Sequence, residues 1–141
     1  MGELLLIARV VIAMFLGGVL GRQRQQMGKW AGIRTYALVS GGSALFTVLS
    51  LTAFGTDTAR VAAGVVTGIG FLGAGTILHK ENRVEGLTTA AGLWMVSAIG
   101  MAVALDLFIL AAFSTLLALF VFIFDDKKMG VIKSVSKNED D

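Results

Sequence analysis

The chain has 141 residues, of which 55% are hydrophobic and 16% charged, and its mean hydropathy is +0.79. Soluble domains carry about 25% charged residues, so this composition argues against an ordinary soluble domain and predicts a membrane protein. The absence of cysteine excludes disulfides, thiol catalysis and thiolate metal sites. With His79 as the one histidine, we expect no histidine-based metal site. The sequence shows no nucleophile–base pair and no carboxylate dyad, so no catalytic site is expected. We also expect no cofactor and no nucleic-acid partner.

Hydrophobic runs predict five membrane-spanning helices in an all-α bundle. Arg9 interrupts the first run and Glu3 stands where a signal peptide would be basic, so we expect a retained span. The run at residues 87–124 would form a helix of about 57 Å, nearly twice a hydrocarbon core of about 30 Å, so it is expected to fold back at Asp106. The predicted spans are residues 4–20, 35–54, 61–78, 87–105 and 107–124, before a loose, charged cytoplasmic tail at residues 125–141.

The distribution of Lys and Arg predicts the orientation of these spans. Ten of them fall in the first loop, the third loop and the tail, whereas the opposite side receives only Arg60. Basic loops stay on the cytoplasmic side. The amino terminus is therefore expected outside and the carboxyl terminus in the cytoplasm.

Glycines are concentrated in the third predicted span. On a helical wheel they form two small-residue faces with bulky side chains between them, and small faces admit close helix neighbours. We therefore expect this helix at the centre of the bundle, packed between two others. The alternative is an unwound segment at residues 68–75 that lines a transport path. The glycines are Gly64, Gly68, Gly70, Gly73 and Gly75.

Four ordered motifs resemble the MgtC/SapB family of bacterial inner-membrane proteins. They are Gly-Ile-Arg-Thr at residues 32–35, Arg-Val-Ala-Ala at 60–63, Gly-Ile-Gly-Phe-Leu-Gly-Ala-Gly at 68–75 and Gly-Leu-Thr-Thr-Ala-Ala at 86–91. The resemblance implies a polytopic membrane protein of about five spans, linked to growth at low magnesium and to bacterial survival inside host cells. Some members act by binding other membrane proteins, including ATP synthase. The best-known members also carry a soluble carboxyl-terminal domain that these 141 residues do not include.

Four charged residues are predicted to lie together on the outer side: Arg9, Asp57, Arg60 and Asp106. An arginine inside a span is costly unless it is paired or reaches the headgroups. We predict that Arg9 pairs with Asp106 or Asp57, and snorkelling of Arg9 is the alternative. Magnesium prefers oxygen ligands, but two arginines share this neighbourhood, so no metal site is predicted.

The family motifs also contain polar and aromatic residues with predicted structural roles. Arg34 and Thr35 are expected to brace the turn at Thr88 and Thr89, where Thr88 would cap the fourth helix. Trp94 lies about two turns inside the fourth span, which is deep for the interfacial belt. A helix-packing role is therefore expected for Trp94.

Two functions follow from these features. The first is a non-enzymatic inner-membrane protein that acts through helix contacts, either in a homodimer or with another membrane complex, during magnesium or host stress. The second is a small dimeric transporter or channel whose path follows the glycine helix. The Gly-x-Gly-x-x-Gly at residues 68–73 does not indicate nucleotide binding, because it lies inside an apolar span and not between a strand and a helix.

Overall fold

The computed structural model describes residues 2–53, 58–81 and 83–137, with side chains described through residue 124. Five helices and one two-stranded antiparallel hairpin make up the described chain, so the predicted all-α bundle is confirmed. The elements are α1 (Glu3–Gln26), α2 (Ile33–Ala53), α3 (Thr58–Ala74), β1 (Leu78–Lys80), β2 (Arg83–Glu85), α4 (Leu87–Ala104) and α5 (Phe108–Lys137).

Within the described residues, three helices are long and apolar enough to cross a membrane: α1, α2 and α4. Shorter apolar helices are α3 and the segment Phe108–Phe124 of α5. Many large apolar side chains point away from the bundle and are exposed. Such a surface is unfavourable in water and suits the hydrocarbon core of a bilayer.

The core of the bundle lies between α1, α2 and α4, which approach closely through glycines. A Cβ atom on Gly17 of α1 would lie 2.5 Å from the Tyr36 carbonyl oxygen, and one on Gly100 of α4 would overlap the Ser40 carbonyl. Ser43 of α2 and Ser97 of α4 also share a hydrogen bond of 2.8 Å. Small residues and buried hydroxyl pairs are the usual means by which membrane helices pack.

The prediction that the glycine helix lies at the centre is wrong. The buried residues of α3 are Ile69 and Gly73. A Cβ atom on Gly64, Gly68 or Gly70 would meet nothing within 4 Å. Helix α3 therefore packs on the edge of the bundle, where it contacts α2 and α4, and the glycines that bring helices together belong to other elements.

Several predicted boundaries also differ from the structure. Helix α1 continues to Gln26, into the predicted basic loop, because the chain turns only at Gly28, which has a φ of 63°. Helix α3 ends at Ala74 and a hairpin follows, so the predicted span 61–78 is too long. Helix α5 continues through Lys137, beyond the predicted end of the fifth span at residue 124.

The predicted fold-back at Asp106 is confirmed. Helix α4 ends at Ala104 and α5 begins at Phe108, with Asp106 between them at a φ of 63°. The Leu107 N–H donates to the Ala102 carbonyl at 2.9 Å and the Asp106 N–H donates to the Val103 carbonyl at 3.1 Å. This is the pattern of a Schellman turn, which usually places glycine at the left-handed position.

Candidate functional site: buried arginines and the faces of helix three

One stripe of α1 faces the bundle and carries an arginine near each end. Its buried residues are Arg9, Ala13, Gly17, Leu20, Gly21 and Arg24. The two arginines are fifteen positions apart, which corresponds to about 22 Å along a helix and is most of a bilayer core of about 30 Å. Because ionised groups are costly in a membrane interior, both side chains are expected to have specific partners.

Near the amino-terminal end of α1, Arg9 holds the turn between α4 and α5. Its Nη1 donates to the Ala104 carbonyl at 3.0 Å, and its Nη2 donates to the Asp106 carboxylate at 2.5 Å. The Arg9 side chain is only 3% exposed, whereas that of Asp106 is 53% exposed. The predicted pairing of Arg9 is thus confirmed with Asp106, and Asp57 lies outside the described residues.

Asp106 occupies a left-handed backbone conformation that side chains other than glycine seldom adopt. Aspartate and asparagine tolerate this region better than most residues. Glycine would adopt this conformation more easily, but it has no carboxylate, and the carboxylate is the group that Arg9 binds. The ion pair therefore accounts for an aspartate at a position where a turn of this kind favours glycine.

The second buried arginine, Arg24, lies in a cluster built by four helices. Its guanidinium carbon is 4.4 Å from the centre of the Phe122 ring of α5. The side chain also lies beside the Tyr36 hydroxyl of α2, which donates a long hydrogen bond of 3.5 Å to the Thr89 carbonyl of α4. A cation over an aromatic face is stabilised most where water is excluded, as it is here.

Gly92 makes room for this cluster. The Tyr36 and Phe122 rings meet edge to face, with centroids 6.4 Å apart. A Cβ atom on Gly92 would overlap the Tyr36 hydroxyl and would lie 2.7 Å from the end of the Phe122 ring. The absence of a side chain on α4 therefore lets α2 and α5 place their rings against each other and against Arg24.

The faces of α3 are arranged differently from the prediction. Gly73 packs against Ala90 of α4, and a Cβ atom added to Gly73 would lie 3.7 Å from the Ala90 Cβ. Gly64 and Gly68 line a groove between α2 and α3, and the helix remains regular through Ala74. The unwound alternative is thus wrong for residues 68–74. The surface that points away from the bundle, the outer face of α3, is exposed. It carries the small residues Ala63, Thr67, Gly70 and Ala74 beside Phe71, which is 89% exposed.

Two predicted roles are wrong in the described structure. Arg34 is exposed, and among the described hydrogen bonds neither Arg34 nor Thr35 reaches Thr88 or Thr89; the neighbouring Tyr36 contacts Thr89 instead. Gly86, not Thr88, precedes the first residue of α4 as its cap. Gly86 has a φ of 91°, and a Cβ there would overlap the Thr76 carbonyl.

Trp94 does not pack inside the bundle. It is 54% exposed and borders a second, smaller cavity of about 310 Å³ next to α3 and the start of α5. Arg60 is exposed near the start of α3. Of the predicted outer-side cluster, the structure therefore brings together Arg9 and Asp106.

The hairpin between α3 and α4 was not predicted and carries its own charge cluster. The Lys80 ammonium lies 3.0 Å from the Glu85 carboxylate, and the Arg83 guanidinium lies 2.7 Å from it. The hydrogen bond from Lys80 lowers the pKa of Glu85 below its usual 4.5, with a further contribution from Arg83. These contacts join the two strands of the hairpin.

The sequence analysis did not predict that Arg24 and Tyr36 lie next to each other in the bundle. A usable signal existed for Arg24, because it continues the spacing of three or four residues that joins Arg9, Ala13, Gly17 and Leu20. The basic residues around Arg24 instead suggested a loop. Tyr36 carried no signal of its own, because its partners lie on three other helices and are distant in the sequence.

The fold and the buried arginines define a small helical membrane protein whose polar groups mainly hold helices together. A model of the MgtC family matches residues 10–129, and the chain belongs to this family. The resemblance of its motifs to the MgtC/SapB family is thereby confirmed.

Curated relatives share about two-fifths of their residues with the chain. "Putative magnesium transporter YhiD" of Escherichia coli K12 is 43% identical over 124 residues, covering 82% of this chain and 58% of that protein. Protein MgtC of Salmonella typhimurium LT2 is 42% identical over 113 residues, covering 80% and 49%. Protein SrpB of Synechococcus elongatus is 40% identical over 129 residues, covering 79% and 71%.

The chain spans about half the length of the first two of these relatives. No solved structure matches it.

Proposed function

We propose that this chain is a non-enzymatic inner-membrane protein that acts through helix contacts, with a second copy of itself or with a larger membrane complex. Its five apolar helices would all cross the bilayer, with the amino terminus outside and the carboxyl terminus in the cytoplasm. The distribution of Lys and Arg supports this orientation. Reporter fusions after residue 57 and at the carboxyl terminus test it, and both reporting the same side would contradict it.

The outer face of α3 carries this proposal. Four small residues at helical spacing point away from the bundle, and a Cβ on Gly70 would meet nothing within 4 Å. Glycines at such positions gain little from contact with lipid, but they let a second helix approach closely. An exposed small-residue face on a membrane helix is therefore best explained by contact with another helix.

In this proposal, the protein acts while the bacterium adapts to low magnesium or to host stress. Support comes from membership of the MgtC family and from the magnesium wording in the name of the YhiD relative. The polar groups support a role without catalysis, because Arg9 and Arg24 are engaged in contacts between helices. Among the described residues, no group of three or more His, Asp or Glu side chains could hold a metal ion.

A complementation experiment tests this function. Bacteria that lack the protein would be grown at low magnesium with the wild type, with Gly70→Leu or with Ala112→Leu. Both substitutions add a leucine to an exposed position, but Ala112 lies on α5, away from the outer face of α3. We expect Gly70→Leu to fail and Ala112→Leu to restore growth. Equal growth with both variants would contradict the proposal.

A transporter or channel is the second candidate, favoured by the name of the YhiD relative. An assay of magnesium and proton flux with the purified protein in liposomes distinguishes transport from helix contact. Flux that Gly70→Leu abolishes would establish transport. No flux under any gradient, together with failure of Gly70→Leu in growth, is the result that helix contact predicts.

A further inference from the structure

A groove of about 550 Å³ runs between α2 and α3 and opens to the surface of the bundle. This volume is typical of ligand sites, which measure about 300–1,000 Å³. Its walls are mainly apolar, and the two serines on its lining, Ser43 and Ser97, are hydrogen-bonded to each other. The groove therefore offers a hydrocarbon surface to whatever occupies it.

The groove exists because three of its lining residues are glycines. A Cβ atom on Gly42, Gly64 or Gly68 would meet nothing within 4 Å. Larger side chains at these positions would fill the groove without striking another part of the chain. The groove is therefore present because these positions are glycines. The glycines are not needed for α2 and α3 to approach each other.

A positive charge continues one wall of the groove. Leu38, Gly42 and Phe46 of α2 line the groove at intervals of four residues, which places them on one face of the helix. Arg34 lies four residues before Leu38 on the same face and is exposed. Among the described residues, its guanidinium has no ion pair. Arg34 therefore places a cation about one helical turn beyond Leu38, the first residue of α2 that lines the groove.

The dimensions match one leaflet of a bilayer. From Arg34 to Phe46, α2 rises about 18 Å, whereas half a hydrocarbon core is about 15 Å. Trp30, which precedes α2 at the same end, is exposed. Exposed tryptophans favour the headgroup region, so this end of the groove is expected at the level of the lipid phosphates.

From the apolar walls and the terminal cation we infer that the groove binds one anionic phospholipid, with an acyl chain along Gly42, Gly64 and Gly68 and its phosphate on Arg34. An acyl chain fills a groove that has no free polar group. Arginine binds phosphate with two parallel hydrogen bonds. The bound lipid would complete the packing of α3, which otherwise touches the bundle along one side.

Native mass spectrometry of the full chain in mild detergent tests this inference, with added dioleoyl phosphatidylglycerol or dioleoyl phosphatidylcholine. The wild type is expected to retain one phosphatidylglycerol per chain and to prefer it over phosphatidylcholine. Gly68→Leu should lose both lipids, because leucine fills the groove. Arg34→Gln should still retain lipid but lose roughly fivefold of the preference, the effect of one basic residue near a phosphate.

Two matched variants serve as controls. Ala112→Leu adds the same side chain to a lipid-facing position of α5, and Arg22→Gln removes an exposed cation from α1. Both should behave as wild type. The inference is overturned if Gly68→Leu retains phosphatidylglycerol as wild type does, or if Arg34→Gln keeps the full preference. It is also overturned if the wild type retains no lipid and Gly68→Leu converts a dimer to a monomer, which would make a second copy the occupant.

Discussion

Arg9 and Arg24 show how a single residue in a membrane helix can specify a contact over a long sequence distance. Arg9 joins α1 to a turn almost one hundred residues later, and Arg24 joins it to a ring in α5. Both are nearly inaccessible. Because a buried charge without partners is strongly unfavourable, the helices that supply those partners are restricted to one arrangement.

Asp106→Asn should destabilise the bundle by about 1 kcal/mol, the upper end for an ion pair with an exposed partner. Asparagine tolerates the left-handed conformation and can still accept a hydrogen bond, so the change removes only the charge. The free energy of unfolding would be measured in bicelles, and a double-mutant cycle with Arg9→Met isolates the pair. Additive effects of the two substitutions would show that Arg9 and Asp106 do not interact.

Gly92→Ala should destabilise the protein by about 1–3 kcal/mol, as overpacked cores do. The added methyl group would overlap the Tyr36 hydroxyl and force the Phe122 ring away from Arg24. Gly18→Ala is the matched control, because its Cβ would lie 3.7 Å from Ile33, an ordinary van der Waals contact. Thermal unfolding in detergent would compare the two. Equal midpoints would contradict the packing described for Gly92.

At the scale of elements, the described helices fall into groups according to the other helices that they contact. Helices α1, α2 and α4 approach one another through glycines and share buried hydroxyls. Helix α3 instead lies on the edge of this group and is followed by a short hairpin. Its glycines leave open surface on both sides, which allows it to contact molecules other than the rest of this chain.

The hairpin between α3 and α4 should depend on pH through Glu85. Because its pKa is lowered in the fold, its stabilising effect is complete above about 4.5, the usual pKa of a glutamate. The effect is lost as the pH falls through the lowered value. Glu85→Gln should reproduce this loss at neutral pH.

Hydrogen exchange measures this effect directly. In Glu85→Gln at pH 7, the amides of Lys80 and Arg83, the hydrogen-bonded pair that closes the turn, should exchange faster than in wild type. The amides in the middle of α4 should be unchanged and serve as the internal control. Unchanged exchange in the hairpin would show that the two ion pairs do not stabilise it.

At the scale of the molecule, composition and hydrophobic runs were sufficient to predict an all-α membrane bundle and the fold-back at Asp106. The pairing of Arg9 followed from the cost of a charge inside a span. The position of α3 could not be predicted, because glycines occur both where two helices pack closely and where a groove stays open. The sequence of the helix is the same in both cases, and only the residues opposite the glycines differ.

The burial of Arg24 could have been predicted from its helical spacing, but its partners could not, for a related reason. The residues of this cluster come from four helices, and each position is ordinary within its own segment. The hairpin was missed because the eight residues between the predicted spans, 79–86, carry little pattern, and its strands are only three residues long.

The most direct test of the central claim, that the outer face of α3 contacts another helix, is cysteine cross-linking in native membranes. The chain contains no cysteine, so a single one can be introduced without background. A photo-activated cross-linker attached to the thiol of Gly70→Cys should join the chain to a second copy or to a larger membrane protein, because it needs no thiol on the partner. Ala112→Cys on α5 should remain uncross-linked. If Gly70→Cys forms no cross-linked product under conditions in which its thiol reacts with a membrane-permeant maleimide, the outer face of α3 meets lipid and the account is wrong.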